Sequence, residues 1–159
     1  MLRVVGHMRN AKKALIAGGC LFIVGCGGSV AAGSGGETTQ APPAPTLRLA
    51  RGGPAVRSVI DKYCRPSPDG GVSCATASLA GPLPLFRAAV GARVTVDTRR
   101  PATDFTITVG GHSLRAKRLT ETRWQIRTPR PSGLAELATK YTDGTDSEAL
   151  VRIQALARR

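Results

Sequence analysis

The feature that most constrains this 159-residue chain is a two-residue alternation of apolar and polar side chains that recurs in short runs from Arg93 onward. In "ARVTVDT", Val94 and Val96 share one side, while Arg93, Thr95 and Asp97 share the other. Successive residues of a strand point to opposite faces, so this pattern suits a strand buried on one side. "DFTITVGGHSLRAK" alternates at Phe105, Ile107 and Val109, breaks at Gly110-Gly111, and resumes with Leu114 and Ala116. Two period-2 runs joined by a glycine pair predict a hairpin. "RWQIR" sets Trp124 and Ile126 opposite Arg123, Gln125 and Arg127. "AELATKY" and "EALVRIQA" flank "TDGTDS", where Asp143-Gly144 is a turn signal and Val151 and Ile153 share a face. Further strands are expected around Val56–Tyr63 and Val72–Ala77, and near Leu83–Phe86. Leu134–Lys140 is the one stretch that reads equally as helix or strand.

Seven or eight short strands with no long amphipathic helix predict an all-β domain, a single small antiparallel β-sandwich of immunoglobulin-like type. A small closed β-barrel is the alternative. Residues 47–159 are enough for one domain with one core.

The N-terminus follows a different rule. Residues 1–25 carry Arg3, Arg9, Lys12 and Lys13 with no acid, then an apolar run from Ala14 to Gly25. This is the layout of an export signal, and the run is shorter than the roughly 20 residues a membrane-spanning helix needs. It ends in Ile23-Val24-Gly25-Cys26, which resembles the lipobox of bacterial lipoproteins. The resemblance implies that Cys26 receives a diacylglyceryl thioether and becomes the first residue of the processed chain. Cys20 lacks the aliphatic residue at the equivalent place, where Ala17 stands, and is expected to leave with the signal. Residues 26–46 then read as the lipidated cysteine and a flexible Gly/Ala/Ser/Pro linker ending in "APPAPT". Such a linker has a root-mean-square reach of about 25 Å.

Export makes an oxidising environment for the remaining cysteines, Cys64 and Cys74, which are separated by a Pro- and Gly-rich loop. A Cys64–Cys74 disulfide is expected, worth roughly 2–4 kcal/mol. A redox pair would more often be Cys-x-x-Cys, and zinc would want two further ligands. The order of lipobox, linker, "YC…C" loop and "PLPLFRAAVGARVTVDTRRPATDFTITV" is similar to that of small envelope lipoproteins of actinobacterial type. The chain departs from that pattern at Arg65 and at Ala75-Thr76. The resemblance implies a fold and an address, a lipid anchor on the extracytoplasmic side of the membrane in the cell envelope, and carries no activity.

No catalytic constellation is recognisable. His112 is the one histidine after Cys26, directly follows the glycine turn, and has no serine elbow to partner it. Asp143, Asp146 and Glu148 lie close together, but "DGTDSE" does not follow the EF-hand order and Asp-Gly is ordinary turn chemistry. No phosphate-binding glycine loop or dinucleotide fingerprint occurs, so no cofactor, metal or enzymatic activity is expected.

Charge is the remaining global signal. Four of the 23 Lys and Arg precede Cys26, leaving 19 against 10 acids, about +9 on the processed chain. On the alternation above, Arg93, Arg123 and Arg127 point away from the core, as does Arg115, and these four form a candidate face for an anionic partner. The alternative is that the arginines are a compositional bias of solvated positions. Nucleic acid is disfavoured by six aromatic residues in the whole chain and no basic–aromatic interleaving. The expectation is therefore a monomeric, membrane-anchored, non-catalytic binding or structural module facing an anionic envelope component or an envelope protein. A small-ligand or metal-ion carrier using the acidic turn or the disulfide loop is the alternative function.

Overall fold

A computed structural model of the protein describes residues 40–157. The export signal, Cys26 and residues 27–39 of the linker lie outside the described residues. Twelve strands follow one another with no helix among the described residues: β1 (Thr46–Leu49), β2 (Val56–Arg57), β3 (Val59–Pro66), β4 (Val72–Thr76), β5 (Leu85–Ala89) and β6 (Arg93–Asp97), then β7 (Ala102–Val109), β8 (His112–Leu114), β9 (Lys117–Arg118), β10 (Arg123–Arg127), β11 (Gly133–Tyr141) and β12 (Asp146–Leu156). Leu134–Lys140, ambiguous as sequence, belongs to β11 and alternates like its neighbours, with Ala135, Leu137 and Thr139 inside and Leu134, Glu136 and Ala138 outside.

The strands form two sheets that pack face to face, which is a sandwich and not a closed barrel. The first sheet has the order β2-β1-β6-β10-β9, and the second β4-β3-β12-β11-β7-β8 with β5 also on β12. Without β2, β3 and β4, the order β1-β6-β10-β9 against β8-β7-β11-β12 is that of strands A-B-E-D against C′-C-F-G of an immunoglobulin domain. β5 completes the comparison. It runs parallel to β12, from Leu85 beside Arg152 to Ala89 beside Leu156, as a first strand does after switching sheets.

β2–β4 are thus an insertion between the first strand and its continuation. β3 pairs antiparallel with β12 from Asp146 to Leu150, with a register shift between Glu148 and Ala149. From Arg152 onward β5 takes over the same edge. Cys64 and Cys74 are opposed in register on β3 and β4 and are bonded, with Cα atoms 4.0 Å apart. The bond ties down β4, which among the described strands pairs with β3 alone and is exposed along its length.

Two turns explain the glycines that the alternation required. Val109 pairs with His112, so Gly110-Gly111 is a two-residue hairpin turn, and both glycines have positive φ, at 55° and 81°. Gly144, at φ 79°, turns β11 into β12 and packs against Pro66, where an added Cβ would sit 2.9 Å from the proline ring.

The folded unit starts earlier than Leu47. Pro42 and Pro45 are buried, Thr46 is already in β1, and Ser58 donates from both its amide and its hydroxyl to the Pro45 carbonyl. Proline has no N–H to leave unsatisfied, so this segment lies on the domain without needing a strand partner of its own. The expected boundary at 46 therefore moves toward the N-terminus, and the linker loses its proline end.

The core fills the space between the sheets. Leu47, Val94, Val96 and Ile126 come from the first, and Phe105, Ile107, Val109, Leu137, Val151 and Ile153 from the second. The Phe105 and Trp124 rings meet across the gap, centroids 5.7 Å apart and tilted by 35°. Ile107 is fully buried, whereas Leu134 is 41% exposed. Ile107→Ala should lower unfolding stability by about 2–5 kcal/mol, and Leu134→Ala by under about 0.5 kcal/mol, in urea titrations of the full chain.

Candidate functional site

The outer face of the first sheet is built by the residues that the core rejects. On β6 burial of Val94 and Val96 turns Arg93, Thr95 and Asp97 outward, and on β10 burial of Trp124 and Ile126 does the same for Arg123, Gln125 and Arg127. Register sets these side chains in rows. Thr46, Asp97 and Arg123 form one, Arg48, Thr95, Gln125 and Lys117 the next, and Arg93 with Arg127 the third. Arg115, in the connection between β8 and β9, lines a groove beside this face together with Arg93, Lys117 and Arg127. Of the four arginines singled out in the sequence, Arg93, Arg115 and Arg127 meet at this groove, while Arg123 is on the same face at the other end, beside Asp97.

They are not equivalent. The Arg123 guanidinium lies 3.8 Å from the Asp97 carboxylate, which offsets its charge. Arg118 lies over the Trp124 ring at 5.7 Å from the centroid and covers the core. Among the described residues, no ion pair involves Arg48, Arg93, Arg115, Lys117 or Arg127. The uncompensated charge therefore gathers at the end of the sheet away from Asp97. Arg48 and Lys117 were missed in the sequence: "TLRL" is a single short alternation after a proline run, and β9 is two residues long.

The contrast with the second sheet is informative. On its outer face Lys140 is opposed in register to Asp104 on one side and to Asp146 on the other, and Lys62 is opposed to Glu148. Opposite charges facing each other across strands stabilise a sheet, and like charges do the reverse. Arg93 directly opposite Arg127 on the first sheet breaks that rule.

The other candidates are placed elsewhere. His112 is exposed at the start of β8, after the glycine turn. The acidic turn is already engaged: Arg100 donates to the Asp143 carboxylate and lies over the Tyr141 ring at 4.9 Å, while Asp143 also accepts from the Thr145 amide. Asp146 and Glu148 are exposed on β12. No group of three or more His, Cys, Asp and Glu among the described residues is placed to hold a metal ion. The Tyr141 hydroxyl reaches the Pro43 carbonyl at 3.5 Å, and Arg65 donates to the Gln40 carbonyl, so this turn and β3 hold the N-terminal segment against the domain. Burial pushes the Tyr141 phenol above its usual range, an effect partly opposed by hydrogen bonding and by the Arg100 guanidinium.

Comparison with protein-family models and with curated proteins finds no match to this chain.

Burial pulls Asp143 upward, but hydrogen bonds from Thr145 and the Arg100 guanidinium outweigh it and hold the carboxyl below the usual range. A lowered carboxyl stabilises the fold above its unfolded value of about 3.9, and that stabilisation is lost as pH falls through the folded value. Asp143→Asn should therefore flatten the acid limb of the stability–pH curve, by about 0.5–1 kcal/mol because the pair is solvent-screened. Urea midpoints measured from pH 6 down to acid, in wild type and variant, check this.

Proposed function

We propose that the protein is a lipid-anchored component of the bacterial cell envelope, whose immunoglobulin-like domain is a non-catalytic module that presents the basic face of its first sheet to an anionic envelope partner. The observation that carries the binding role is the segregation of charge. By register, most cations of one outer face, Arg48, Lys117 and the Arg93–Arg127 pair, have no acid opposite them, while on the other face Lys62 and Lys140 are set against acids and Arg152 lies between leucines. A merely solvated surface needs no like-charge pair, whereas an interface for an anion benefits from one.

The anchoring role rests on the basic start, the apolar run and Ile23-Val24-Gly25-Cys26. Two or three acyl chains on one cysteine hold a domain firmly, since each buried CH₂ contributes roughly 0.8 kcal/mol, so the rest of the chain needs no membrane-spanning segment. Among the described residues no helix is long and apolar enough to cross a membrane.

Mass spectrometry of the protein from fractionated cells tests the address. The expected result is a membrane-fraction protein whose N-terminal peptide begins at an acylated Cys26, with Cys26→Ala leaving an uncleaved, unacylated chain. A soluble protein carrying a free Cys26 thiol would contradict the proposal.

A further inference from the structure

Arg93 and Arg127 stand at the end of the first sheet, directly opposed on β6 and β10. The Arg127 guanidinium donates only a long bond, 3.5 Å, to the Gly91 carbonyl, and no hydrogen bond or ion pair of the Arg93 side chain occurs among the described residues. A groove of 690 Å³ opens on one side of the pair, between the β5–β6 turn and Arg51. Another, of 890 Å³, opens on the other side and is bounded by Arg115 and Lys117. Arg93 and Arg127 line both, so the two grooves meet at the pair, and the combined wall holds five cations and no acid.

We propose that this channel binds a linear chain of phosphate groups. One phosphate sits between the Arg93 and Arg127 guanidiniums, and its neighbours in the chain reach Arg51 in one groove and Arg115 and Lys117 in the other. The proposal rests on the basic-face reading above and names the ligand class. A guanidinium is a planar fork that takes two oxygens at once. An internal phosphate of such a chain keeps two non-bridging oxygens, as a carboxylate does, but they diverge from a tetrahedral phosphorus and can meet one guanidinium each, whereas the two coplanar oxygens of a carboxylate match a single fork. The register of the two arginines thus favours phosphate over an acidic peptide.

Position and shape favour a polymer over a lipid surface. β1 begins beside Asp97 and ends beside Val94, so the channel is at the far end of the sheet from where the N-terminal segment joins the domain. The channel is also concave, with the Ala89–Ala92 turn as part of its wall. A bilayer meets the rim of such a channel, while an extended phosphate chain lies along its floor.

The test is calorimetric titration of the full chain, purified in non-ionic detergent, with inorganic tripolyphosphate. Saturable binding is expected, weakening steeply as salt rises. Arg93→Glu should weaken it by at least about tenfold. The same variant sets opposite charges across β6 and β10, so its urea midpoint should rise, which separates lost binding from lost folding. Arg123→Glu, at the Asp97 end, should leave the affinity within about twofold if the channel is the site. If Arg123→Glu weakens binding as much as Arg93→Glu, the channel is wrong and the basic face as a whole survives. Equal affinity for polyglutamate overturns the phosphate preference. Binding to phosphatidylglycerol vesicles over phosphatidylcholine vesicles, with none to tripolyphosphate, makes the face a lipid-docking surface and also overturns the channel. Failure of wild type to bind any of these anions removes both the channel and the face.

Discussion

Everything in this domain depends on one constraint, the burial of a single side of each long strand between two sheets. The inner sides of β6 and β10 meet those of β7, β11 and β12 through Val94, Val96, Ile126, Ile107, Leu137 and Val151, with Phe105 and Trp124 in contact across the middle. Each fully buried Leu, Ile or Val side chain contributes on the order of 1.5–3 kcal/mol, so a register slip that turned one strand over would forfeit several such terms at once. The core therefore fixes which residues face outward. Arg93, Arg123 and Arg127 are on one surface because valine, tryptophan and isoleucine separate them in the sequence.

Given that placement, the two outer faces have been filled by different rules. The second sheet sets Lys140 between Asp104 and Asp146 and Lys62 against Glu148, as stability alone would favour. The first sheet neutralises Arg123 with Asp97 at one end and leaves Arg93 against Arg127 at the other. The cost of that opposition falls on the folded state, and it is the kind of local conflict expected where a surface has work other than folding. The inserted β3–β4 hairpin serves another need. It extends the second sheet past β12, and the Cys64–Cys74 bond holds a strand that, among the described strands, is paired on one side only.

Much of this was legible in the sequence because alternation is a local signal that tertiary packing reinforces. β6, β7 and β10 could be read directly, as could the Gly110-Gly111 turn and the cysteine pair. Leu134–Lys140 resisted because Leu, Ala, Glu and Lys favour a helix, and only pairing with β7 and β12 on either side makes it a strand. β1 was hidden behind the prolines, and with it Arg48. The switch of β5 onto β12 is a parallel pairing between residues far apart in the chain, which no local pattern encodes. Alternation alone makes the four arginines of the candidate face equivalent; the distinction between Arg123 and Arg93 depends on which residue lies opposite, and that is a property of register. The N-terminal signal and Cys26 lie outside the described residues, and their reading rests on the sequence.

The most direct measurement of the central claim is arginine footprinting, in which a dicarbonyl reagent labels the full chain with and without tripolyphosphate and mass spectrometry reads the modified residues. If the end of the first sheet is the binding surface, Arg93 and Arg127 become protected, while Arg87 on β5 and Arg152 on β12 label at the same rate in both conditions. Equal labelling of Arg93 and Arg127 with and without the anion, or protection confined to Arg87 and Arg152, would contradict the account.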